Sequence, residues 1–193
     1  MSDALAIGGA GLRVVFRRLG DRFAHAIERL QGENWAPILE SLEGGPDDAW
    51  PPSPPLQELH FEDRPEGRRL ALLVGRAGAS HWSLSVEWDP LGARFSFDAA
   101  CRVRSAPAWL GSRYRLMSAA AVGGPIAAPL GAAAGIELPG VRLRGESTGD
   151  QPACNLVQQN GQLQLYPVPV AAPWPKTSRW RYSFETRDVI FKP

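Results

Sequence analysis

"HWSLSVEWDPLGARFSFDAACRV", residues 81–103, alternates apolar and polar side chains on both sides of a turn. In its first half Trp82, Leu84, Val86 and Trp88 share one parity, and His81, Ser83, Ser85 and Glu87 the other. In its second half Phe95, Phe97, Ala99 and Cys101 oppose Arg94, Ser96, Asp98 and Arg102. Successive side chains of a strand point to opposite faces, so a period of two marks half-buried strands. Asp89-Pro90-Leu91-Gly92 reads as a four-residue loop with proline in its preferred second turn position. That loop would set Trp88 opposite Ala93, Phe95 opposite Val86, Glu87 opposite Arg94 and Ser83 opposite Asp98. The expected unit is an antiparallel hairpin with one aromatic face for a core and one polar face.

The pattern continues outward along the chain. "LQELHFED", "RLALLVG", "SRYRLM", "GVRLRGE" and "RWRYSFETR" read as further strands, and Asn160-Gly161 within "NLVQQNGQLQLY" is a strong hairpin signal. The N-terminal stretch Leu12–Leu30 differs. Leu12, Val15, Phe16, Leu19, Phe23, Ala26, Ile27 and Leu30 recur at intervals of three and four, which predicts an amphipathic helix. The alternative is a second hairpin turning at Gly20-Asp21, since a mid-helix glycine costs about 1 kcal/mol. The fold class expected is therefore mainly β (α+β): an antiparallel, barrel-like sheet of roughly eight strands carrying one N-terminal helix.

A chain of 193 residues with 44% hydrophobic and 21% charged residues suits a single globular domain over 1–193. Residues 44–55, "GGPDDAWPPSPP", read as a Pro-rich connector crossing the surface with Trp50 tucked into the core, because proline withholds backbone donors. Pro51–Pro54 also fits the P-x-x-P spacing of a polyproline ligand, a pattern short enough to arise by chance. Residues 116–140 are rich in Ala, Gly and Pro; Pro125 and Pro129 interrupt the uncharged run, so it reads as a loop or lid and no membrane span is expected. The two cysteines, Cys101 and Cys154, form no Cys-x-x-Cys pair and read as buried thiols. The first residues lack the basic start and apolar run of a signal peptide, so a cytoplasmic location is expected.

The net charge of +1 supplies no global field toward nucleic acid or an anionic membrane. No P-loop, dinucleotide fingerprint, H-E-x-x-H or G-x-S-x-G is present, and His25, His60 and His81 lie in three separate elements, so no metal and no cofactor are expected. His60 stands among Glu58, Glu62 and Asp63 and reads as solvated, and His25 is given no role. Two surfaces remain as candidates. The polar hairpin face (His81, Ser83, Ser85, Glu87, Arg94, Asp98 and Arg102) could orient a small ligand. A basic face of Arg13, Arg17, Arg18 and Arg22 could meet an acidic partner. The expected function is a non-enzymatic β-rich binding or accessory domain acting through a protein partner or a small ligand. The alternative is an enzyme using His81 with Asp98 or Glu87 in a sheet-lined cavity.

Overall fold

A computed structural model describes residues 5–117, 126–127 (backbone), 135–147, 152–169 and 171–186. Its strands are β1 (Leu5–Gly9), β2 (Leu12–Leu19), β3 (Arg22–Gln31), β4 (Asn34–Ser41), β5 (Glu58–Asp63), β6 (Arg69–Ala77), β7 (Ser80–Asp89), β8 (Arg94–Val103), β9 (Ser112–Leu116), β10 (Ile126–Ala127), β11 (Gly135–Leu138), β12 (Val141–Glu146), β13 (Asn155–Gln159), β14 (Gln162–Tyr166) and β15 (Lys176–Thr186). They form two antiparallel sheets. The first has the order β1-β2-β3-β4-β9-β14-β13-β10 and the second β11-β12-β15-β8-β7-β6-β5. Each has two edge strands, so neither closes into the barrel expected from the sequence. Among the described residues no helix is long and apolar enough to cross a membrane.

One apolar layer lies between the sheets. The second sheet contributes Trp82, Leu84, Val86 and Trp88 from β7, Phe95, Phe97 and Ala99 from β8, and Trp180, Tyr182 and Phe184 from β15. The first supplies Leu12, Val14 and Phe16 from β2, Ile27 from β3, Leu39 from β4 and Tyr114 from β9. Rings meet across the layer, His25 with Phe97 at 5.9 Å and Tyr114 with Tyr182 at 6.3 Å between centroids. Cys101 and Cys154 are free, and burial pushes both thiols up to about 12, so neither ionises readily.

The predicted N-terminal helix is not formed. Leu12–Leu30 is instead the hairpin β2–β3, turning at Gly20-Asp21, with Gly20 at φ +61 in the first turn position. The misleading spacing has a physical source. Val14, Val15 and Phe16 are all buried, as are Ala26 and Ile27, because this hairpin is covered on both faces. Apolar doublets on a two-sided strand imitate the three-and-four rhythm of a helix.

The β7–β8 hairpin forms with both faces as expected, but its register slips by two residues. Trp88 lies opposite Phe95, Glu87 opposite Ser96 and Ser85 opposite Asp98. Asp89 accepts a hydrogen bond from the Leu91 amide at 3.2 Å and Ala93 adopts φ +44, so the loop is Pro90–Ala93, closed by the pair Asp89 and Arg94. A slip of two keeps every side chain on its face, whereas a slip of one would have inverted the sheet.

The first half of the Pro-rich stretch is at the surface, with residues 45–49 exposed and Trp50 packed against the core, but the second half is not. Pro51, Ser53, Pro54, Pro55 and Leu56 are buried. Phe23 of β3 donates its amide to the Leu56 carbonyl at 2.7 Å, and the Gln57 amide reaches Val74 of β6 at 2.9 Å, so the segment ties the two sheets together. Most of the Ala/Gly/Pro-rich stretch read as a loop or lid lies outside the described residues; within it Gly135–Leu138 is β11, paired with β12.

Candidate functional site

The outward face of the second sheet is assembled from cross-strand rows. One row runs Arg76, His81, Arg102 and Thr177 across β6, β7, β8 and β15. The next is Val74, Ser83, Ala100 and Arg179; a third is Leu72, Ser85, Asp98 and Arg181. Neighbours within a row stand about 5 Å apart at Cβ, and rows on one face are about 7 Å apart along the strand. The residues in the middle, Ser83, Ser85 and Ala100, are short, and the face is hollow there. A depression of about 490 Å³ is lined by Val74, Arg76, His81, Ser83, Ala100 and Arg102, among others. A second of about 430 Å³ adjoins it, sharing Val74, Ser83, Ala100 and Thr177 and extending to Leu72 and Asp98.

This brings together most of the candidate ligand face. His81 sits directly opposite Arg102, and Ser85 opposite Asp98. Arg94 is at the far end, committed to Glu146 and Glu185, and Glu87 faces Arg68 at 3.7 Å. Asp98 is gripped by Arg179, whose Nε donates to it at 2.5 Å, and by Arg181 at 3.4 Å. The His81 and Asp98 rows are separated by the row of Ser83 and Ala100, and His81 has no carboxylate within 4.0 Å among the described residues. His60 is exposed on edge strand β5, and the described residues hold no cluster of potential metal ligands.

Of the four arginines of the basic face, Arg13, Arg17 and Arg22 share one face of the β2–β3 hairpin and Arg18 takes the other, and each is engaged within the fold. Arg13 and Arg17 both bind the buried Glu28 carboxylate, at 2.7 and 2.6 Å. Arg18 donates to the carbonyls of Gly20 and Gln57, and Arg22 is buried against Asp21 and the Gly45 carbonyl. Period two explains why Arg18 stands apart: Arg13 and Arg17 share a parity that it does not.

A polar chain that the sequence reading passed over runs through the core. The β3–β4 ladder stops at Ala26 opposite Glu40, so the His25 amide donates to Ser41 Oγ at 2.8 Å instead. Ser41 Oγ donates in turn to Glu43 Oε1 at 2.6 Å, and burial pushes the Glu43 carboxyl up to about 7. The His25 ring lies between the sheets, and burial holds it down to about 4, which keeps it neutral at neutral pH. Its Nε2 meets Tyr114 OH at 2.8 Å, Tyr114 OH meets Tyr182 OH at 2.7 Å, and Trp180 Nε1 donates to Ser112 Oγ at 3.0 Å. The helix spacing gives His25 no role. The strand reading puts it in the inward row of Phe23, His25 and Ile27, with Tyr114 and Tyr182 on inward rows of their own strands; that parity was the available signal.

No family model matches the chain, and no curated protein is detectably similar to it.

The chain of hydroxyls makes a stability prediction. Tyr114→Phe removes the group between His25 Nε2 and Tyr182 OH and leaves both without that partner in the core, so it is expected to cost about 1–3 kcal/mol. Urea unfolding measures it. A loss below about 0.5 kcal/mol would show that the chain adds nothing to stability beyond ring packing.

Proposed function

We propose that this protein is a non-enzymatic β-sandwich binding domain that holds a small elongated ligand in the hollow on the outward face of its second sheet. The reading is carried by Leu72 and Val74. The large exposed apolar residues Leu5, Leu19, Leu30 and Leu91 stand at strand ends or in a turn. Leu72 and Val74, 38% and 47% exposed, are instead adjacent mid-strand positions on one face of β6, and both line the hollow. Contiguous exposed apolar surface beside a concavity, bounded by fixed polar groups, is the arrangement of a ligand site. Asp98 is locked between two arginines and His81 stands apart from it, so the polar groups serve as walls and anchors, and proton transfer has no assembled pair.

The test is a saturable titration with the uncharged fluorophore N-phenyl-1-naphthylamine, using the full chain. One equivalent is expected to bind, and the variant carrying both Leu72→Ser and Val74→Ser is expected to bind it at least tenfold more weakly with unchanged unfolding behaviour. Failure of the native chain to bind the probe, or equal binding by the variant, overturns the reading.

A further inference from the structure

We propose that the end of this hollow is an anion site, built by Arg76, His81 and Arg102, that takes a phosphate or carboxylate group of the bound small molecule. This rests on the groove reading for the rest of the ligand, and the anion site itself stands on a separate contrast.

Arginines elsewhere on this sheet have carboxylates. Arg69 binds Asp63, Arg94 binds Glu146, Arg144 approaches Glu185, and Arg179 and Arg181 share Asp98. Arg76 and Arg102 have no ion pair within 4.0 Å among the described residues, although they flank His81 in a single row across three adjacent strands. Two arginines one strand apart from each other in a row would ordinarily be given a carboxylate between them, and a sequence that places carboxylates beside its other arginines sets His81 there instead, with all three groups facing one concavity. All three line the depression of about 490 Å³, with Thr177 closing the row on β15. Two guanidinium forks with an imidazole between them supply directed donors to a tetrahedral or planar oxyanion, which a single ammonium could not do as specifically.

The size of the anion follows from what surrounds the row. Glu58 lies on one rim of the same depression, and the Asp98 carboxylate lies two rows away along the strands. An extended polyanion crossing the sheet would meet both, whereas one phosphate or carboxylate fits between them. Away from the basic row the hollow runs toward Val74 and Leu72, so the ligand carries its anionic group at one end and apolar carbon toward the other.

The experiment follows the His81 ring by NMR while the full chain is titrated with inorganic phosphate, octyl phosphate and a single-stranded oligonucleotide. Phosphate is expected to shift the His81 resonances saturably. Arg76→Gln with Arg102→Gln should weaken that response at least tenfold, and Arg115→Gln, on the outward face of the other sheet, should leave it unchanged. Octyl phosphate is expected to bind at least tenfold more tightly than phosphate. No saturable shift, or an equal shift in the double variant, overturns the anion site even if the uncharged fluorophore binds. Phosphate binding without any gain from the octyl chain keeps the anion site and overturns the groove. An oligonucleotide that binds more tightly than octyl phosphate overturns the small-molecule ligand. All substituted residues are exposed, and unfolding curves matched to the native chain confirm that each variant is folded.

Discussion

Glu43→Gln is expected to turn a protein whose stability is nearly level between pH 4.5 and 6.5, as far as two core groups decide it, into one that weakens steeply with acid. The two groups work against each other. Burial lowers the folded-state pKa of His25 to about 4 from the ordinary 6.5. The unfolded chain therefore binds the extra proton first, and the stability attached to neutral His25 is present above pH 6.5 and lost as pH falls toward 4. Glu43 runs the other way: burial raises it from 4.5 to about 7, so the folded chain holds the extra proton. Its contribution is present below pH 4.5 and lost as pH rises through 7. Each displacement corresponds to about 3 kcal/mol across its window, and between pH 4.5 and 6.5 the slopes have opposite signs.

Removing one group exposes the other. In Glu43→Gln, stability relative to the native chain should fall by about 2–3 kcal/mol as pH drops from 6.5 to 4.5. In His25→Phe it should fall by a similar amount as pH rises over the same interval. Taking the difference from the native chain at each pH cancels the remaining carboxylates. Urea midpoints at three pH values suffice. If both differences are independent of pH, the two groups titrate together or not at all, and the opposed arrangement is wrong.

These groups also mark where the sequence could be read and where it could not. The strands β7 to β9 and β12 to β15 are legible because apolar and polar residues alternate along them, and Asn160-Gly161 turns its hairpin with both residues at positive φ, 51° and 70°. The N-terminal hairpin is illegible for the opposite reason: Val15 and Ala26 are buried on the face away from the core layer, and the period of two dissolves. The partition into two sheets is likewise not local information. The chain leaves the first sheet after β4, builds four strands of the second, and returns at β9, and nothing in a strand's own residues names its neighbour. The outward row of His81, Ser83 and Ser85 was readable from parity alone, while Arg76, Leu72 and Val74 entered the site only through the β6–β7 register, because "RLALLVG" reads as apolar on both faces.

Gly75→Ala should destabilise the protein by more than about 3 kcal/mol, the scale of a severe backbone clash in a packed region. Gly75 lies on the inward parity of β6, where the Pro-rich segment presses against it: an added Cβ would stand 1.8 Å from the Pro55 carbonyl oxygen and 2.5 Å from Gln57 Oε1. The first is backbone and cannot rotate away. To admit a methyl group the segment would have to lift, and its ties would go with it. These are the Gln57 side chain bridging the Arg76 amide and carbonyl at 2.7 and 3.1 Å, the Gln57 amide on Val74, and the Leu56 carbonyl held by Phe23 of the other sheet. Ser53 and Trp109 anchor the same segment through the Arg113 backbone and the Pro52 carbonyl, so the strain reaches β9 as well. Gly45→Ala is the control, since a Cβ there meets nothing closer than Asp48 Oδ2 at 3.7 Å and should change stability by less than about 0.5 kcal/mol. Thermal and urea unfolding of the two variants settle the point, and a Gly75→Ala protein as stable as the control would mean that the Pro-rich segment is not seated on β6. Because Gln57 fixes the backbone of Arg76, the same substitution at a permissive temperature should also loosen the basic row, which makes the segment a support for the site as well as for the fold.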